Sequence, residues 1–222
     1  MKPLHSWKVT PEQAIRIQEN LGHRIILKKT FSNARTIGGG DVFYQKEGNF
    51  LFGGMVVLAF PRMETLDVAT ARGKISFPYL PGLLTFREGP ILINTFQKLR
   101  IRPDILIFDG QGIAHPRRMG LAAHLGLWFD LPSIGCAKTP LLGKSVIPGP
   151  SRGSFELIQK DGNEVGVVLR TKDRVKPVFV SPGHRIDLPT SIQVVLESCQ
   201  GFRMPEPLRK AHQLSRELLQ SE

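Results

Sequence analysis

Between Thr36 and Ile75 the chain runs through three apolar stretches rich in β-branched residues, TIGGGDVFY, FLFGGMVVLAF and METLDVATARGKI. The connections between them, QKEGN and a turn around the proline at 61, are too short for a helix. Successive strands joined so tightly pair antiparallel, because a parallel crossover needs a dozen residues or more. The chain is therefore committed to a three-strand meander near its start. GGGD at 38–41 enters the first strand instead of leaving it, which excludes a doubly wound dinucleotide fold.

The remainder reads as alternating helix and strand. Thr10, Pro11 and Gln13 form an N-cap, a first-turn proline and a capping-box partner, and Ile17, Leu21 and Ile25 recur at helical spacing, predicting a helix over 11–28. Thr85 and Glu88 have capping-box spacing ahead of the helical ILINTFQKL. DILIF, bounded by Pro103 and Gly110, is expected as a central strand, followed by a helix over 117–127 and a strand in LPSIGCA. TPLLGKSVIPGPSRGS reads as a loop, VGVVLRT and KPVFVSPG as two strands, and helices are expected near 190–199 and 206–220. The fold class is α/β, a mixed central sheet that begins with a meander and is flanked by helices, in one domain over residues 1–222.

Lys and Arg number 30 against 19 acids, a formal charge of +11 spread from Lys2 to Arg216. That excess favours a polyanionic partner, since it attracts phosphates before any specific contact forms. Cys136 and Cys199 show neither CxxC pairing nor zinc spacing and are expected as free buried thiols of a reducing cytoplasm, with a single disulfide as the alternative. The start MKPLHSWKVT lacks the apolar core of a secretion signal, and no stretch approaches the roughly 20 apolar residues of a membrane span. A cytoplasmic protein without membrane attachment is expected.

If the first meander strand neighbours DILIF, Asp41 and Asp109 meet at one edge of the sheet. Close carboxylates repel, raising one pKa unless a cation sits between them. Hard oxygen ligands suit Mg²⁺ or Mn²⁺, and beside a basic surface the matching substrate is a phosphodiester. Each acid also has a plain structural reading: a strand-edge turn for Asp41, an Asp-Gly turn for Asp109, a helix cap for Glu88. His115 and His212 are either core hydrogen-bonding residues or groups that position a water or ligand. Tyr79, held between Pro78 and Pro81, is either a surface-loop residue or a stiff aromatic tip that wedges between bases. Arg117, Arg118, Lys138 and Lys144 are phosphate contacts or solvated charges.

GGGDVFY, FPYLPGLLTFRE, PDILIFDGQGIAHPRRMGLAAHLG, PSIGCAK and SPGHR together resemble the consecutive blocks of the endonuclease V family, in order and over nearly the whole chain. The resemblance implies a ribonuclease H-like fold. It implies metal-binding carboxylates at Asp41, Asp109 and Glu88, with Lys138 and His212 beside them. It also implies a strand-separating wedge at Pro78, Tyr79, Leu80 and Pro81, and a base pocket shaped by Gly82, Leu84, Gly110 and Gly120. Asp104 and His115 match polar residues tied to activity or substrate binding. Gln111 replaces the histidine of the DGHG block found in many bacterial members; it keeps hydrogen bonding but cannot titrate. The implied activity is Mg²⁺-dependent nicking of DNA, with Mn²⁺ able to substitute, at the second phosphodiester bond 3′ to deoxyinosine, leaving 3′-hydroxyl and 5′-phosphate ends. The protein is expected to be a monomer. Cleavage of inosine-containing RNA and non-catalytic nucleic-acid binding are the alternatives.

Overall fold

Residues 3–45, 48–143 and 145–220 are described by a computed structural model. Helix α1 (Pro11–Gly22) starts as the sequence predicts: Gln13 N–H donates to the Thr10 hydroxyl and Thr10 N–H donates to the Gln13 amide oxygen. It stops at Gly22, short of the expected end at 28. The following residues are taken by another partner, since Ile26 N–H donates to His184 Nδ1 and Arg185 N–H donates to the Ile26 carbonyl.

Strands β1 (Thr36–Tyr44), β2 (Phe50–Ala59) and β3 (Thr65–Lys74) form the expected antiparallel meander. Helix α2 (Leu84–Gln97) then leads to β4 (Ile105–Phe108), helix α3 (Leu121–Phe129) to β5 (Ser133–Ala137). Strands β6 (Phe155–Lys160), β7 (Asn163–Leu169) and β8 (Val178–His184) extend the sheet, and α4 (Leu188–Ser198) and α5 (Glu206–Gln220) close the chain. The order is β3-β2-β1-β4-β5-β8-β7-β6, with β1, β4 and β5 mutually parallel and the other pairs antiparallel. A mixed sheet that opens on a meander and passes to parallel strands is the ribonuclease H-like arrangement expected.

Besides α1, three elements differ from the sequence expectation. Strand β6 was not foreseen: its Phe155 and Leu157 are exposed and Ile158 is its one buried apolar residue, so it shows no alternating apolar face, and it is held by a two-residue hairpin in which Asp161 and Gly162 both take positive φ (50° and 74°). Helix α3 begins at Leu121 instead of 117 because Arg118 is left-handed (φ 53°) and Gly120 extended. Helix α2 has Leu83 at its N-cap with no side-chain cap, and Thr85 lies inside the helix, so the Thr85–Glu88 capping box does not form. Among the described residues no helix is long and apolar enough to cross a membrane, and Cys136 and Cys199 are free and buried.

The two faces of β1 carry different helices. Gly40 faces Phe108 and Leu92 of α2, whereas a Cβ at Gly39 would lie 2.2 Å from the Pro207 carbonyl oxygen at the start of α5. On β2 a Cβ at Gly54 would lie 2.4 Å from the Ala211 carbonyl oxygen. The absence of side chains at 39 and 54 therefore lets α5 lie backbone to backbone on the sheet, which fixes the height of His212 above β1. Replacing Gly39 by Ala should force α5 away, costing about 3 kcal/mol in chemical denaturation; a loss under about 0.5 kcal/mol would show the contact to be slack.

Candidate active site

The parallel register of β1 and β4 pairs Gly40 with Phe108, so Asp41 and Asp109 follow at the same level on adjacent strands. The β4–β5 register pairs Phe108 with Gly135, and Lys138 emerges just past the same end of β5. From the α5 side His212 Nδ1 lies 2.7 Å from Asp41 Oδ2, and the Lys138 ammonium donates to Asp109 Oδ2. From the opposite face α2 contributes Glu88, which is buried and accepts a 2.7 Å hydrogen bond from the Tyr44 hydroxyl at Oε1.

Electrostatics show how closely these groups feel one another. Burial pushes the Asp41 carboxyl up, and Asp109 adds to it, while His212 opposes. Burial pushes Glu88 up to about 8, with Asp41 and Asp109 adding and the Tyr44 hydrogen bond opposing. Burial alone would lower Lys138, but the neighbouring Asp109 charge outweighs it and holds the ammonium on. The site thus has an excess of negative charge that only partly cancels.

Among the described residues no three acidic, histidine or cysteine side chains are disposed to hold an ion as they stand. The donor chemistry nevertheless fits a hard divalent cation. Each of Asp41, Asp109 and Glu88 has one oxygen engaged by the protein, by His212, Lys138 and Tyr44 in turn. Their second oxygens accept no hydrogen bond among the described residues, and burial, with the neighbouring carboxylates adding, raises Asp41 and Glu88.

Asp109 and Lys138 also line a cleft of about 450 Å³, and so do Tyr79, Leu80, Pro81, Gly82, Leu84, Gly110, Gln111, His115 and Gly120. Tyr79 is 66% exposed at its mouth. Gln111 donates from Nε2 to the Thr139 carbonyl at 3.0 Å, which fixes the amide and leaves Oε1 buried without a partner. Pro78 precedes the cleft without lining it. Asp104 is not brought to the site. It lies at the opposite end of β4, where it accepts from Arg35 N–H, Thr36 N–H and the Thr36 hydroxyl and ties the start of β1 to β4.

Several side chains serve the cleft from behind. The Gly82 carbonyl accepts from His115 Nε2 at 2.8 Å, Arg117 Nη2 at 2.9 Å and Gln18 Nε2 at 3.0 Å. Arg117 also donates to Gln18 Oε1, so in this fold it is an internal brace, a role outside the two the sequence offered, phosphate contact or solvated charge. Lys144 lies outside the described residues. Tyr44, Gln18 and Arg87 were missed by sequence reasoning; the alternation of β1 would have set Tyr44 on the α2 face, but no motif marks Gln18.

The sequence and its fold can be set beside known proteins. Residues 19–213 match the profile described as Endonuclease V. The chain belongs to the endonuclease V family. An endonuclease V of Dictyoglomus turgidum is 48% identical over 211 residues, covering 95% of this chain and 92% of its own. The crystal structure of endonuclease V from Streptomyces avermitilis superposes with a TM-score of 0.91 at 40% identity, covering 97% of this chain and 96% of that one. Ciona intestinalis endonuclease V, solved with a 24mer DNA containing an inosine followed by a ribo-adenosine, gives a TM-score of 0.83 at 29% identity, covering 95% and 98%. Membership in endonuclease V makes the chain a nuclease, and the sheet-edge carboxylates are its candidate centre.

His115 carries a distinct role within that endonuclease V cleft. Its Nδ1 accepts from Arg117 N–H and its Nε2–H donates to Gly82, so the neutral ring has both nitrogens in use. Burial pushes its pKa down from 6.5 to about 4, against the opposing Gly82 bond and with Arg117 adding. Between about 6.5 and about 4 the unfolded chain binds a proton that the folded one refuses. The stabilisation is complete above that window and is lost as the pH falls through it. Denaturation midpoints measured across the window should fall with pH less steeply in His115→Gln than in the parent; equal slopes would contradict the neutral brace.

Proposed function

We propose that the protein is a Mg²⁺-dependent endonuclease, with Mn²⁺ able to substitute, that nicks DNA at the second phosphodiester bond 3′ to deoxyinosine. The products carry 3′-hydroxyl and 5′-phosphate ends, and the protein acts as a monomer in the cytoplasm. The observation that carries this reading is the wall shared by two compartments: Asp109 and Lys138 belong both to the carboxylate centre and to the cleft beside the Pro78–Pro81 wedge. A base held in the cleft and a phosphate held at the carboxylates are then parts of one bound strand. The inosine-containing DNA in the Ciona intestinalis complex supports the same substrate.

Asp41, Asp109 and Glu88 would hold the metal. When bound, a divalent cation supplies charge stabilisation at the scissile phosphate and lowers the pKa of an attacking water. The chain's own groups do the rest. His212 orients the Asp41 carboxylate from one side, and Lys138 places a positive charge beside Asp109 where phosphate oxygens must approach. Tyr79, exposed at the cleft mouth, fills the gap left in the duplex when a base is withdrawn, an exchange that costs least at a mismatched or damaged pair. Gln111 Oε1, buried and unpartnered, suits the lactam N–H of hypoxanthine and repels the bare ring nitrogen that adenine presents there.

A second reading, cleavage of inosine-containing RNA, is favoured by the ribo-adenosine after the inosine in the Ciona intestinalis complex. End-labelled inosine-containing DNA and RNA of matched sequence, incubated with Mg²⁺ and mapped at nucleotide resolution, separate the two. A cut one nucleotide beyond the inosine's own 3′ phosphate is expected in DNA, and no metal-dependent cut near inosine in either would sink the proposal. Asp109→Asn should lower the rate at least about a thousandfold while leaving much of the binding, since it removes a ligand charge and not the basic surface. Gln111→Leu should reduce the preference for inosine over adenine by about tenfold; an unchanged ratio would remove the amide oxygen from base recognition.

A further inference from the structure

Strand β1 serves the carboxylate centre twice, once from each face. Asp41 points toward α5 and meets His212. Three residues later the alternation of the strand turns Tyr44 to the α2 side, where its hydroxyl donates to Glu88 Oε1 at 2.7 Å. That bond is the one side-chain hydrogen bond made by the Glu88 carboxyl among the described residues. A buried carboxylate with a single anchor depends on it for orientation, because a free Glu side chain samples several rotamers and each moves the oxygens by ångströms.

The Tyr44 ring is itself held in place. The Arg87 guanidinium lies 5.0 Å from its centroid, and Arg87 Nη1 donates to the Phe77 carbonyl at 2.7 Å, immediately before the wedge. Ring position and hydroxyl contact are therefore separable: phenylalanine at 44 keeps the ring and the cation–π contact and loses the hydroxyl's interactions with Glu88 and Arg87.

We infer that Tyr44 is a positioning residue for the metal centre, its hydroxyl fixing Glu88 Oε1 so that Oε2 is left for the cation. This rests on the proposed assignment of Glu88 as a ligand. It adds a group acting from outside the set of ligands, of the kind whose loss costs about tenfold to a hundredfold in metal affinity. The neighbouring Arg87 anchors the same ring to the loop after β3 that enters the wedge, so the site that cuts and the segment that separates strands share one support.

The test measures Mn²⁺ binding to the nucleic-acid-free protein by calorimetry in the parent, Tyr44→Phe, Glu88→Gln and the double variant. Tyr44→Phe is expected to weaken Mn²⁺ about tenfold, with its unfolding midpoint close to the parent's. Added to Glu88→Gln it is expected to change nothing further, because the carboxylate it positions is gone. In cleavage assays the Mg²⁺ concentration for half-maximal rate should rise by a similar factor, with most of the rate recovered at saturating Mg²⁺. Unchanged Mn²⁺ affinity in Tyr44→Phe, or an equal loss in the Glu88→Gln background, would overturn the inference, as would a parent that binds no Mn²⁺. A parent that shows the Tyr44-dependent Mn²⁺ binding yet cuts nothing near inosine would overturn the proposed substrate and leave this role standing.

Discussion

The parallel pairing of β1 with β4 is the constraint on which the site depends. Its register sets Gly40 beside Phe108 and so delivers Asp41 and Asp109 to one level of one sheet edge. Folding alone would not choose this, because two carboxylates brought together out of water repel, and a third, Glu88, is added from α2. The fold tolerates the arrangement by giving each carboxyl a separate partner on a separate element: His212 on α5, Lys138 after β5, Tyr44 on β1. Each partner meets one oxygen only, which leaves an unspent demand for positive charge at the strand ends.

A second organising point is the carbonyl of Gly82, where three donors from α1 and from the loop after β4 converge. One carbonyl oxygen has two lone pairs, so three N–H groups crowd around it and leave it little freedom to move. It ends the Pro78–Pro81 segment and begins the approach to α2, so the cleft wall, the exposed Tyr79 and the helix that carries Glu88 are all referenced to a single fixed point. A buried glutamine on α1, remote in sequence from every recognisable motif, thereby braces the cleft wall through Gly82 and Arg117.

Particular residues show what could and could not be read in advance. The meander, the central strand and the closing helices were legible because hydrophobic period and turn residues are local properties. The capping box at Thr85 and Glu88 was a misreading with a physical cause: the spacing is correct, but the helix begins at Leu84 and burial gives Glu88 a better partner in Tyr44. Arg117 reads as a phosphate contact or a solvated charge and is a brace, while Asp104 reads as a site acid and is a clamp at the far end of its strand. Strand β6 escaped notice since an edge strand that exposes Phe155 and Leu157 and buries only Ile158 generates no alternating pattern.

The sequence by itself determined the α/β class, the order of most elements, the basic charge and, through consecutive motif blocks, the family and the acids Asp41, Glu88 and Asp109. Those features follow from local periodicity, composition and residue identity, which need no third dimension. Only the tertiary structure decided which oxygens of those acids are engaged, that Gln111 keeps a buried acceptor unpaired, and that Tyr44 reaches Glu88 across the face of the sheet. Hydrogen bonding depends on distances of a few tenths of an ångström between groups far apart in the chain, and these are fixed by strand register and by how closely α5 and α2 approach the sheet.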